Sequence, residues 1–130
     1  MSHDSIEQAL YEYMDANWNT TDATVIYENG ETKNNTTPWL RFGISFFSSV
    51  NAVVGGSKQE IRGIVYAQIF TKTKIGSGSA MNIAQTFINL FQNIQLNNVF
   101  LYAGNIVKVG EDPEQPNLYH VNAKIPFESI

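Results

Sequence analysis

The segment from Gln59 to Thr73 constrains the fold more than any other part of the chain. Its residues alternate between a uniformly small or apolar set (Ile61, Gly63, Val65, Ala67, Ile69) and a mixed set (Arg62, Ile64, Tyr66, Gln68, Phe70). Because successive side chains of a strand point to opposite faces, this pattern predicts a strand covered on both sides, by a helix on one and a partner on the other. A glycine- and serine-rich turn at Gly76–Ser79 follows and opens an amphipathic helix that ends near Phe91.

The rest of the chain supplies one more helix and four more extended segments. Apolar residues at three- and four-residue spacing predict a helix over Ser5–Trp18. Alternation predicts strands over Ala23–Glu28, Trp39–Phe47, Val99–Val109 (bent at Gly104-Asn105) and Leu118–Phe127. Pro126 predicts that the end of the last strand lies at a sheet edge. The order α-β-β-β-α-β-β indicates an α+β fold, with a mainly antiparallel sheet and two helices packed on one face.

Composition narrows the class of protein. A chain of 130 residues fits one domain, so we expect a single domain over residues 1–130. The absence of cysteine excludes disulfide frameworks, iron–sulfur sites and thiol nucleophiles. The net charge of −4 disfavours binding to nucleic acid, and no window is apolar enough for a membrane span. A surface with only 15% charged residues suits contacts with other proteins.

No motif in the chain indicates catalysis or metal binding. The turn at Gly76–Ser79 lacks the Gly-Lys-Ser/Thr of a phosphate-binding loop, and Met81 stands where a dinucleotide motif needs glycine. His3 and His120 have no partners at metal-ligand spacing, and we expect His120 to face solvent. The acidic residues of 111–114 lack the calcium-loop pattern. The sequence therefore predicts no catalytic residue, no metal and no cofactor.

Two features favour an interface between copies of the chain. The segment Ser48–Ser57 is expected to be the tip of a long hairpin, and its valines form an apolar group that a monomer would rarely expose. The second feature is a cluster of basic residues around the central strand. A solubilising strand edge explains this cluster better than contact with a phosphate backbone, and we also nominate the region as an interface candidate. The candidate subunit-interface residues are Val50, Val53, Val54, Arg62, Lys72 and Lys74.

Several blocks of the sequence match a known pattern. They are P-W-L-R-F at Pro38–Phe42, R-G-I-V-Y-A-Q-I-F at Arg62–Phe70, the G-S-G-S-A turn before Ile83–Phe91, and Y-H-V-N-A-K-I-P-F at Tyr119–Phe127. With the leading helix at Ser5–Trp18, this arrangement resembles the lambda-type phage tail terminator proteins and related tail-completion domains. The resemblance covers nearly the whole chain.

The resemblance implies a structural role in the virion tail of a phage or prophage, with assembly in the cytoplasm of the bacterial host. Such proteins form a homo-oligomeric ring, usually a hexamer, that caps the tail tube, stops tube polymerisation and meets a head-completion protein. They carry no cofactor, catalyse nothing, and let DNA pass through the lumen without specific binding. The alternatives are a head–tail connector, a tail-tube subunit, or a small enzyme or ligand-binding module using the space between helices and sheet.

Overall fold

Two helices lie on one face of a seven-stranded sheet in the computed structural model, which describes residues 3–18, 23–27, 38–51, 59–72, 77–111 and 118–129. The helices are α1 (His3–Asn17) and α2 (Ser77–Phe91). The strands are β1 (Thr24–Tyr27), β2 (Trp39–Asn51), β3 (Gln59–Lys72), β4 (Ile94–Leu96), β5 (Val99–Leu101), β6 (Asn105–Glu111) and β7 (Leu118–Ser129). The α+β class and the order of the main elements are those predicted from the sequence.

The sheet is mainly antiparallel, as predicted, with the order β1-β2-β3-β7-β5-β4. Strand β6 also pairs with β7, with its residues 119–124, whereas β5 pairs with residues 127–129 at the end of β7. Strands β2, β3 and β7 form the centre through long antiparallel ladders, for example Leu40 with Ile69 and Ile69 with Val121. Most of the side chains on both faces of the sheet therefore come from these three strands.

One strand pair departs from the antiparallel pattern. Strand β1 runs parallel to β2, with Thr24 opposite Trp39 and Tyr27 opposite Phe42. The sequence predicts antiparallel neighbours because short connections favour them. The connection between these two strands, residues 28–38, is instead close to the length that a parallel crossover needs. The pair Asn29-Gly30 predicts a turn, because both residues tolerate positive φ, but it lies outside the described residues.

The core lies between the helices and the inner face of the sheet. Leu40, Phe42 and Ile44 are buried there, as their alternation predicts, and Phe46 packs against the core from its margin. The helices contribute a buried row from α1 (Ile6, Leu10, Met14) and from α2 (Ala80, Ile83, Ala84, Phe87, Ile88, Phe91). The Tyr13 hydroxyl donates to the Leu90 carbonyl at 2.9 Å, so the two helices are also joined directly.

The break between β5 and β6 occurs at the predicted bend. Strand β5 ends at Leu101 and β6 begins at Asn105. A side chain at Gly104 would lie 2.6 Å from Ile88 Cδ1, so the glycine lets the chain approach α2 closely. The prediction that Pro126 lies at a sheet edge is wrong, because β7 is a central strand. Pro126 lies opposite the break between β5 and β6, where its nitrogen does not need to donate a hydrogen bond to a neighbouring strand.

Gly63 is a second position where a side chain has no space. A Cβ atom there would lie 2.4 Å from the Ser45 carbonyl oxygen and 2.7 Å from Cζ of Phe127. We expect Gly63→Ala to lower the free energy of unfolding by about 1–3 kcal/mol, since the buried Phe127 ring must move. Urea denaturation measures the change. The exposed Ser45→Ala on the facing strand is the control, with an expected change within about 0.5 kcal/mol. Equal stability of both variants and the wild type would contradict this packing.

Candidate subunit interface

The outer face of the sheet, opposite the helices, carries the side chains of β2, β3 and β7 that do not enter the core. Paired residues share a face, so the ladders place these side chains in rows across the sheet. Three such rows are Trp39–Phe70–His120, Arg41–Gln68–Asn122 and Gly43–Tyr66–Lys124. We call this surface the outer face. It is where the sequence predicts that a partner covers β3.

One end of the outer face is closed by stacked rings. Trp39 stacks on Phe70 with centroids 4.2 Å apart, and Phe70 stacks on His120 at 4.4 Å. Trp39 is 4% exposed and Phe70 is 9% exposed, so this end is buried within the chain itself. The expectation that His120 faces solvent is wrong: it is half-buried and stacked, because the register places it beside Phe70.

The middle of the outer face is an open groove of about 330 Å³. Its lining mixes apolar and neutral polar side chains with one lysine: Ser45, Phe47, Ile64, Tyr66, Gln68, Asn122 and Lys124. Phe47 is 61% exposed at the groove margin, and Ile64 and Tyr66 are half-buried. Both helices lie on the opposite face, so neither of them covers the groove. An apolar surface left open in this way is typical of a protein-contact site.

The other end of the outer face carries a charged cluster. The Arg62 guanidinium lies 2.7 Å from a Glu60 carboxylate oxygen and 3.9 Å from Glu128. The Tyr102 hydroxyl donates to Glu128. The hydrogen bond from Arg62 lowers the pKa of Glu60, and the one to Glu128 raises the pKa of Tyr102. Arg62 is therefore neutralised by neighbours of its own chain.

Three other basic residues of the outer face lack such partners. Arg41, Lys72 and Lys124 have no carboxylate within salt-bridge distance among the residues that the structure describes. Arg41 is half-buried, and Lys72 and Lys124 are exposed. The outer face therefore combines an apolar groove with a surplus of positive charge.

The candidate interface residues from the sequence are only partly placed by the structure. Arg62 and Lys72 both project from β3 onto the outer face, towards its opposite ends. The backbone of Val50 pairs with Glu60, which extends β2 into the predicted hairpin tip. The Val50 side chain, Val53, Val54 and Lys74 lie outside the described residues.

Sequence reasoning missed the contributions of Phe47, Arg41 and Lys124 to this surface. Alternation along β2 places Arg41 and Phe47 on the face opposite the core, but it does not show that this face forms a groove. The alternation within one strand does not give the register between strands. That register places Lys124 of β7 beside Tyr66 of β3 and completes the groove. Among the described residues, no group of three potential metal ligands occurs, and no helix there is long and apolar enough to cross a membrane.

Comparison with known proteins places this architecture in a family. The fold is similar to that of a solved structure named only by a sequence identifier, with a TM-score of 0.72 over 100% of this chain and 96% of that chain. At 17% identity this likeness shows the fold alone. No curated protein matches the chain. The family model described as phage tail terminator protein matches residues 5–127, and the chain therefore belongs to the phage tail terminator family.

Proposed function

We propose that this protein forms a ring that caps the tail tube, stops tube polymerisation and provides the surface to which the head is joined. The observation that most directly supports assembly is the open outer face, where Phe47 is 61% exposed beside an apolar groove. In a member of the tail terminator family, another protein is the natural cover for such a surface. We assign no reaction and no cofactor to the chain.

Ring closure requires that each copy use two different patches, one for each neighbour. We propose the outer face as one of these patches, with Arg62 and Lys72 near its ends. The apolar hairpin tip with Val50, Val53 and Val54, together with Lys74, extends the same interface in this proposal. A homohexamer is the expected ring, and the chain acts as one domain over residues 1–130.

The partners proposed for the ring follow from its position in the tail. One side of the ring contacts the tail-tube protein, and the other contacts a head-completion protein. The ring belongs to the virion tail of a phage or prophage and assembles in the cytoplasm of the host. DNA passes through its lumen without specific binding, which agrees with a net charge of −4.

The test is to add the purified protein to its tail-tube protein during polymerisation. We expect multi-angle light scattering to show a closed oligomer, and electron microscopy to show tubes that stop growing with a ring at one end. Tube length should fall as the ratio of this protein to tube protein rises. A protein of unrelated fold at equal concentration controls for crowding.

Two outcomes would contradict the proposal in different ways. Growth of the protein alone into long tubes would identify a tail-tube subunit instead. A strictly monomeric protein that leaves tube length unchanged would remove the terminator role and would favour a connector or a ligand-binding module.

A further inference from the structure

The negative charge of the helical layer is confined to one side of α1. The helix carries four acidic residues (Asp4, Glu7, Glu12, Asp15) and no lysine or arginine. Asp4, Glu12 and Asp15 are exposed, and the buried row of Ile6, Leu10 and Met14 lies on the opposite side of the helix. Helix α2 has no charged residue at all. The layer opposite the outer face is therefore acidic at α1 and neutral at α2.

A shallow apolar groove runs beside these carboxylates, between α1 and β1. It has a volume of about 350 Å³ and is lined by Tyr11, Glu12, Asp15 and Tyr27. The two tyrosine rings meet edge to face with centroids 5.4 Å apart. Aromatic walls with carboxylates at the rim suit the side chain of an arginine or lysine, which offers an apolar stem and a cationic end.

The outer face carries the complementary charge. Lys124 lines the open groove, Arg41 lies beside its Gln68, and Lys72 lies beyond the stacked rings. None of the three has a carboxylate partner among the described residues, and Phe47 adds an exposed apolar side chain. The acidic side of α1 and the basic outer face lie on opposite layers of the same chain. Two complementary patches on opposite sides can join copies head to tail, which is the contact that a ring requires.

We propose that the outer face of one copy binds the acidic side of α1 of the next copy, with Arg41 or Lys124 entering the groove lined by Tyr11 and Tyr27. This pairing rests on the proposed ring and names the surfaces that close it. A two-fold pairing of outer faces is disfavoured, because it brings the unpaired basic residues of two copies together. The head-to-tail arrangement instead sets each cation against a carboxylate.

The test uses two charge-reversed variants. The helix variant is Glu12→Lys/Asp15→Lys, and the sheet variant is Arg41→Glu/Lys124→Glu. We expect each variant alone to remain folded and to assemble at least about ten-fold more weakly than the wild type, because like charges then face each other. Native mass spectrometry and light scattering measure assembly, and circular dichroism confirms the fold. The single variants Glu12→Lys and Lys124→Glu, both at exposed positions, replace the double variants if either fails to fold.

Complementation is the decisive measurement. An equimolar mixture of the two variants should restore a ring in which they alternate. The native basic outer face of the helix variant then meets the native acidic α1 of the sheet variant, and the acidic outer face of the sheet variant meets the basic α1 of the helix variant. A single chain that carries all four substitutions should also restore the ring. Every contact is then the same attractive pair, so this ring, unlike the alternating one, does not need an even number of subunits. Raising the salt concentration should weaken each restored ring, since exposed charges are screened.

Controls place charge changes of the same sign on other surfaces, equal in size to those of the single variants Lys124→Glu and Glu12→Lys. Lys108→Glu lies on β6 at a position that shares the inner face with Val121, and Gln85→Lys/Asn89→Lys lies on the exposed side of α2. Both should assemble as the wild type does. A failure of complementation while the wild type forms rings would overturn the α1 pairing and leave the proposed function intact. A wild type that neither assembles nor stops tubes would remove the function itself.

Discussion

Replacing Phe42 with alanine should lower the free energy of unfolding by about 3–5 kcal/mol, the largest loss expected from any single truncation in this core. Phe42 is fully buried on β2. Its ring stacks on Phe91 with centroids 5.7 Å apart and meets Phe87 edge to face at 6.0 Å. Because residues of both helices and of the edge strand β1 pack around the ring, we expect the surroundings to fill only part of the space that it leaves.

Two aromatic neighbours on the other side of Phe42 strengthen this expectation. Tyr11 of α1 lies 5.4 Å from it and Tyr27 of β1 lies 6.0 Å from it, between ring centroids. Aromatic pairs of this kind add about 0.5–1.5 kcal/mol each beyond the area that they bury. Urea or thermal denaturation measures the loss.

The control for Phe42→Ala is Phe47→Ala on the same strand. Phe47 is 61% exposed in the single chain, so truncation there should change the free energy of unfolding of the monomer by less than about 1 kcal/mol. Similar losses at the two positions would contradict the assignment of Phe42 to the core and of Phe47 to the outer face. The comparison thus tests the orientation of β2 directly.

Phe47→Asp should convert the ring to folded monomers. Burying an exposed phenylalanine in an interface contributes about 1.5–3 kcal/mol, and aspartate adds the cost of removing a charge from water. A loss of about 2–3 kcal/mol at each contact weakens association roughly 30- to 150-fold. Analytical ultracentrifugation over a range of concentrations measures this shift.

The conservative variant Phe47→Leu separates the roles of apolarity and of shape. It keeps an apolar side chain at the groove margin, and we expect it to form rings at concentrations close to those of the wild type. Circular dichroism should show that Phe47→Asp unfolds at the same temperature as the wild-type monomer. Assembly of Phe47→Asp at wild-type concentrations would exclude the outer face from the interface.

Local patterns were sufficient for most of the element boundaries. The helix predicted over Ser5–Trp18 is α1 at His3–Asn17, and the strand predicted over Gln59–Thr73 is β3 at Gln59–Lys72. The helix has apolar residues at three- and four-residue spacing, and the strand alternates a small or apolar set with a mixed set over many residues, so the period of each segment identifies it. The three-residue strands β4 and β5 are too short to carry a period, and β4 was not predicted.

Turn chemistry explains why β4 was difficult to predict. Asn93 and Asn97 both adopt positive φ, at 57° and 53°, and they set the start and the tight turn of the small hairpin formed by β4 and β5. Asparagine accepts this conformation more readily than most residues, but it occurs at many other positions of the chain. The sequence alone therefore does not show which asparagines adopt positive φ and form turns.

By itself, the sequence determined the α+β class, the core side of β2 and β3, and the tail terminator family. The fold class and the core sides could be inferred locally because apolar periodicity depends on neighbours within one segment, whereas the family was inferred from a resemblance of several sequence blocks. Tertiary structure alone decided the parallel pairing of β1 with β2 and the central position of β7. It also brought Phe47, Tyr66 and Lys124 to one groove, because register between strands depends on contacts that no single segment encodes.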